Sequence, residues 1–178
     1  HAVIPRGGPG TWDRGIMTAS PPVEAGGRLL LYYGATDYGH ESDEPLDPQR
    51  EQELAFRGGV AELRIDGFAA LLLDGDAREG WLESVPLSAS QELALVLNAD
   101  CRGGCVLVQV VDALTNAPLS GMTFDTCRPI SLDGLALRPH WDNAPGVIPA
   151  QRPLRLQLRL TAHTATPRVY ALLFQVPD

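Results

Sequence analysis

Apolar and polar side chains alternate strictly through much of the chain. Leu154, Leu156, Leu158 and Leu160 fall on one side of an extended segment, with Arg155, Gln157 and Arg159 on the other. The same spacing recurs at Leu93, Leu95 and Leu97, at Val106, Val108 and Val110, and at Tyr170, Leu172, Phe174 and Val176. Ala61, Leu63 and Ile65 alternate with Glu62 and Arg64. A period of two predicts strands with one face buried and one more polar. No window of comparable length holds a helical period. The best candidate, Pro48 to Phe56, reads as one helical turn or the approach to a strand.

Turn signals punctuate these runs at Ala25-Gly26-Gly27, Arg57-Gly58-Gly59, Asp66-Gly67, Asp74-Gly75-Asp76, Arg102-Gly103-Gly104, Asn116-Ala117-Pro118, Asp133-Gly134 and Asn143 to Gly146. Short strands so spaced predict an all-β fold, a jelly-roll-like antiparallel β-sandwich occupying residues 67–178. About seven of its strands fall between Gly80 and Asp178. Trp141 is expected half-buried on one of them. Residues 1–66 read differently: richer in Pro, Gly and acids, with two clear strands, Arg28–Tyr33 and roughly Glu53–Ile65. Two strands make no stable sheet alone, so this segment must dock on the sandwich or belong to a larger body.

Composition narrows the partners. The net charge of −8 argues against nucleic acid and anionic membranes, which require a positive surface. All 14 basic residues are Arg, which removes Schiff-base chemistry and a P-loop lysine. No apolar run approaches the length that spans a bilayer as a helix. The chain begins at His1 rather than Met, as a processed or truncated protein does.

Three cysteines are too few for a disulfide framework and lack zinc-ligand spacing. If Arg102-Gly103-Gly104 is a hairpin turn, Cys101 and Cys105 lie opposite each other, either as a small disulfide or as two ordinary thiols. Asp74, Asp76 and Glu79 lack the spacing of a calcium loop and read as an exposed turn. No metal or cofactor is expected. No nucleophile elbow, metalloprotease motif or phosphate-cradling loop occurs, and no catalytic residue is assigned.

The candidate chemistry gathers after the first strand. Tyr32-Tyr33-Gly34 ends a strand, and the following loop carries Asp37 and His40. Such a loop either holds a substrate hydroxyl or presents solvated turn residues. Exposed aromatics beside carboxylates suit sugars, and alternation lets only one of Tyr32 and Tyr33 face such a surface.

Ser20-Pro21-Pro22-Val23, Leu31-Tyr32-Tyr33-Gly34, Asp37, His40 and Gly59 to Phe68 resemble the final blade of five-bladed β-propeller glycoside hydrolases, the invertase/arabinanase-like enzymes and their mannoside-phosphorylase-like relatives. Leu97-Asn98-Ala99-Asp100, Gly103-Gly104, Val108 to Ala113, Pro153 to Leu156 and Val169 to Phe174 resemble the β-sandwich appended to many such proteins. The resemblance implies a partial propeller-blade-like segment, with Tyr33, Asp37 and His40 contacting substrate. The catalytic carboxylates would then come from blades outside this chain, the remainder of the propeller being its partner.

Three functions follow. The first is a glycosidase-related tail, non-catalytic alone, whose sandwich supports the propeller or assists carbohydrate binding. The second is a free-standing carbohydrate-binding sandwich, which predicts an exposed Trp12 or Trp81. The third is an assembly protein whose N-terminal arm adds strands to a partner chain.

Overall fold

A computed structural model describes residues 2–38 and 56–177, and among these there is no helix. His40, the loop from Glu41 to Asp47 and residues 48–55 of the short helical candidate lie outside the described residues. The chain divides into two compact units, His1–Phe68 and Ala69–Asp178.

The first unit is an antiparallel sheet of β1 (Gly15–Ala19), β2 (Val23–Ala25), β3 (Arg28–Thr36) and β4 (Arg57–Arg64). β1 and β2 pair with successive stretches of one edge of β3, while β4 pairs along the other edge from Arg28↔Arg64 to Ala35↔Arg57. Two strands more are present than the sequence pattern predicts. Pro21-Pro22, which brings no N–H to the ladder, splits the outer strand into β1 and β2, each too short to show a period. Between them the Ser20 amide still donates to the Tyr32 carbonyl at 2.7 Å. Gly26 and Gly27 close the β2–β3 hairpin at φ +58 and +73, a type I′ turn that a side chain would strain.

The second unit is the expected β-sandwich. Its strands are β5 (Glu79–Glu83), β6 (Leu93–Asp100), β7 (Gly104–Asp112), β8 (Asp133–Leu137), β9 (Val147–Ile148), β10 (Leu154–Ala162) and β11 (Arg168–Gln175). One antiparallel sheet runs β5-β10-β7; the other runs β11-β6-β8, with β9 also pairing β6. The chain passes from one sheet to the other at nearly every connection, as in a jelly roll.

The period of β10 translates directly into packing. Leu154, Leu156, Leu158 and Leu160 are buried, while Arg155, Gln157 and Arg159 are half-buried on the outer face. Each Leu contributes about 1.5–3 kcal/mol by leaving water. They meet Leu95, Leu97, Ala99 and Val169 of the opposite sheet, and Val106, Val108 and Val110 of β7, in one core. β6 and β7 depart from the expected one-sided pattern: Leu107 and Val111, Ala94 and Val96 are buried as well. The pattern at Tyr170 also shifts, because a bulge between Val169 and Ala171 takes Tyr170 out of register.

β7 lies at the end of its sheet, and an irregular chain satisfies its outward N–H and C=O groups. Ile130 exchanges bonds with Val106 at 3.0 Å in each direction. Val110 donates to Met122 and accepts from Leu119, and Asp112 donates to Ala117. At Val108 the N–H points to the Cys127 sulfur at 3.3 Å, and the carbonyl accepts the Trp141 indole N–H at 2.9 Å. Such covering protects an edge that would otherwise template further strands. Trp141 is therefore 1% exposed rather than half-buried, and it sits in an isolated bridge to Cys127, outside the named strands.

The cysteine hairpin is corrected as well. Cys101 and Gly104 do form a turn, the Gly104 amide donating to the Cys101 carbonyl at 3.1 Å. That turn carries the chain between sheets, since β6 pairs with β11, β8 and β9 while β7 pairs with β10. Cys101 and Cys105 are therefore not cross-strand neighbours, and all three cysteines stand as buried thiols.

Candidate functional site

Of the strand–loop candidate in the first unit, Tyr33 and Asp37 are described and His40 is not. Tyr33 stacks on Trp12, with ring centroids 5.8 Å apart and planes 14° from parallel. Both rings lie over Gly59, the residue opposite Tyr33 in β4. A Cβ there would sit 2.5 Å from the Tyr33 ring and 2.8 Å from Trp12, so a glycine leaves the space the stack occupies. Tyr32 points to the other face and is the more exposed of the pair, at 53%. It borders an open groove floored by the cross-strand pair Gly34 and Gly58, with Val60 and Thr18 at its sides. Asp37 is exposed, and its carboxylate accepts from its neighbour Thr36 at 3.4 Å. Among the described residues no hydrogen bond joins Tyr33 to Asp37.

The sandwich carries a second, more complete constellation, on the outer face of the β5-β10-β7 sheet. β5 alternates like its neighbours: Leu82 packs on the core, so Trp81 and Glu83 share the outer face. Register places Trp81 opposite Arg159, Glu83 opposite Gln157, and Gln157 opposite Gln109.

These pairs build a line of polar contacts across three strands. Gln157 donates to Glu83 at 2.6 Å and accepts from Gln109 at 2.8 Å. The Gln109 side-chain oxygen Oε1 accepts the Phe124 backbone N–H at 3.2 Å. Arg155 donates to Asn116 at 2.6 Å and lies 3.8 Å from Glu83. Beside this line Trp81 meets Phe124 edge-on, with centroids 5.2 Å apart and an 82° interplanar angle. The Arg159 guanidinium lies 5.5 Å from the Trp81 ring centre and 5.3 Å from that of Phe124. Trp81 nevertheless remains 61% exposed. The result is an exposed aromatic ring braced by a second ring and a guanidinium and flanked by amides, a carboxylate and a further guanidinium on one sheet face.

Local pattern carried part of this site. The run Glu79-Gly80-Trp81-Leu82-Glu83 alternates, which aims Trp81 outward, and β10 sends Arg155, Gln157 and Arg159 to the same side. Phe124 and Asn116 sit in irregular chain between β7 and β8, where no period reports orientation.

The strongest charge perturbation lies elsewhere and has a structural role. Arg152 pairs with Asp112, whose other carboxylate oxygen accepts the Leu114 and Thr115 amides at 2.9 and 3.0 Å. The guanidinium foremost, then the two amides, hold this carboxyl well below the ordinary range. Burial pushes the Cys127 thiol up, against the opposing effect of the Val108 N–H. Arg102, gripped by Asp100 with Asp133 behind, is held firmly protonated.

Compared with known protein families, curated proteins and solved structures, the chain matches none.

Proposed function

We propose that the sandwich is a non-catalytic carbohydrate-binding module and that its ligand lies on the Trp81 face. One observation carries the reading: Trp81 is 61% exposed yet braced by Phe124 and Arg159, with hydrogen-bonding side chains aligned beside it. An indole supplies a flat apolar surface at little entropic cost, matching the C–H face of a pyranose ring. Glu83, Gln157, Gln109 and Arg155 then offer acceptors and donors for the hydroxyls around that ring.

The test is affinity electrophoresis and calorimetry of the full chain against a panel of soluble polysaccharides. Binding should weaken at least tenfold in Trp81→Ala, as expected for a central aromatic anchor. Trp12→Phe should leave binding on this face unchanged. A panel without a ligand, or a Trp81→Ala variant that binds as the wild type does, would sink the proposal.

The first unit lends support to the propeller-tail reading. Its antiparallel sheet exposes Tyr32 and Val60 on one face, which an adjoining blade would cover. Blade-like strand repeats encoded upstream would support that arrangement.

A further inference from the structure

Resting on the carbohydrate reading, we infer that the Trp81 face selects an anionic saccharide, with Arg159 as the residue that reads its charge. Arg159 differs from its neighbours on this face. Gln109, Gln157, Glu83 and Arg155 are occupied with one another or with Asn116 and the Phe124 amide. The Arg159 guanidinium lies against the two rings, and among the described residues it makes neither a hydrogen bond nor an ion pair.

The chain has 22 acidic residues and a net charge of −8, so carboxylates are plentiful. The two on β5 nearest in register, Glu79 and Glu83, lie opposite Thr161 and Gln157 rather than Arg159, and Glu83 is already engaged. A half-buried guanidinium keeps a planar fork of N–H donors whose natural complement is an oxyanion. The two rings hold that fork in place beside the exposed indole, so less freedom is lost when it binds.

A sugar ring resting on Trp81 would bring its exocyclic acidic group toward this fork. Both a uronate carboxylate and a sulfate ester have the required geometry, and both are absent from neutral glycans. Glu83, the acidic group of the constellation, is balanced by Arg155 and tied to Gln157, which lessens its repulsion of an anion.

The experiment compares polygalacturonate with the same polymer fully methyl-esterified, and carrageenan with neutral agarose, using calorimetry on the full chain. A charge-assisted pairing predicts that at least one anionic polymer binds about 10- to 100-fold tighter than its neutral partner. Preference for polygalacturonate identifies a carboxylate, and preference for carrageenan a sulfate.

Arg159→Gln should erase the discrimination while leaving Trp81-dependent binding to the neutral polymer. Arg159→Lys, which keeps the cation over the rings without the fork, should retain part of it and serves if the Gln variant fails to fold. Equal affinity for charged and neutral polymers, with Trp81 still required, would overturn the anionic inference alone. Unchanged discrimination in both Arg159 variants would do the same. If no polymer binds, both the inference and the carbohydrate reading fall.

Discussion

Replacing Trp141 by Phe tests how the open edge of β7 is closed. The indole is 1% exposed, and its N–H donates to the Val108 carbonyl at 2.9 Å. Phe keeps an aromatic ring but deletes the donor, leaving a buried carbonyl without this partner at a cost of about 1–3 kcal/mol. The missing ring atoms leave a void larger than a methyl group, which adds about 1 kcal/mol. Together they predict a loss of about 2–4 kcal/mol, a large share of the stability of one domain. Urea unfolding followed by far-ultraviolet circular dichroism measures it, as a lower midpoint at unchanged slope. Trp81→Phe is the control, since an exposed indole should change stability by less than about 0.5 kcal/mol. If the two variants unfold alike, the Trp141–Val108 bond does not hold the edge as argued.

Three further outcomes follow from local geometry. Asp112 has a lowered pKa when folded, so its stabilisation is complete above the unfolded carboxyl value of about 4 and is lost as pH falls through and below it. Asp112→Asn should therefore flatten the acid limb of a stability–pH profile, and an identical limb would refute the assignment. Gly59→Ala forces a Cβ into the Tyr33–Trp12 stack and should destabilise the first unit by about 1–3 kcal/mol, read as a change in Trp fluorescence and an earlier unfolding transition. Native protein should react slowly with a thiol reagent and denatured protein should titrate all three cysteines. A single titratable thiol after denaturation without reductant would instead reveal a disulfide.

How much of this was legible in the sequence follows from what each pattern measures. Alternation reports which side of a strand meets the core, so β10 and the sandwich class could be read directly. It says nothing about the edge to which a strand is bonded. Arg102-Gly103-Gly104 therefore looked like a hairpin turn, although the chain there leaves one sheet for the other. Picking out alternate residues in β6 and β7 hides that Leu93 to Leu97 and Cys105 to Val108 are unbroken apolar runs, the pattern of strands buried on both faces, as these two are. Trp141 and Phe124 illustrate the remaining gap. Each lies in chain without a period, and each gains its role from a strand far away in sequence: Val108 for Trp141, Trp81 and Arg159 for Phe124. Tyr32-Tyr33-Gly34 attracted attention because its chemistry is contiguous. The Trp81 face instead draws on β5, β10, β7 and the irregular chain after β7, and only folding assembles it. A side-chain cluster spread over several strands leaves only local traces, the clearest being an apolar residue placed where alternation demands a polar one. Trp81, between Glu79 and Glu83 on the outer face of β5, is that trace.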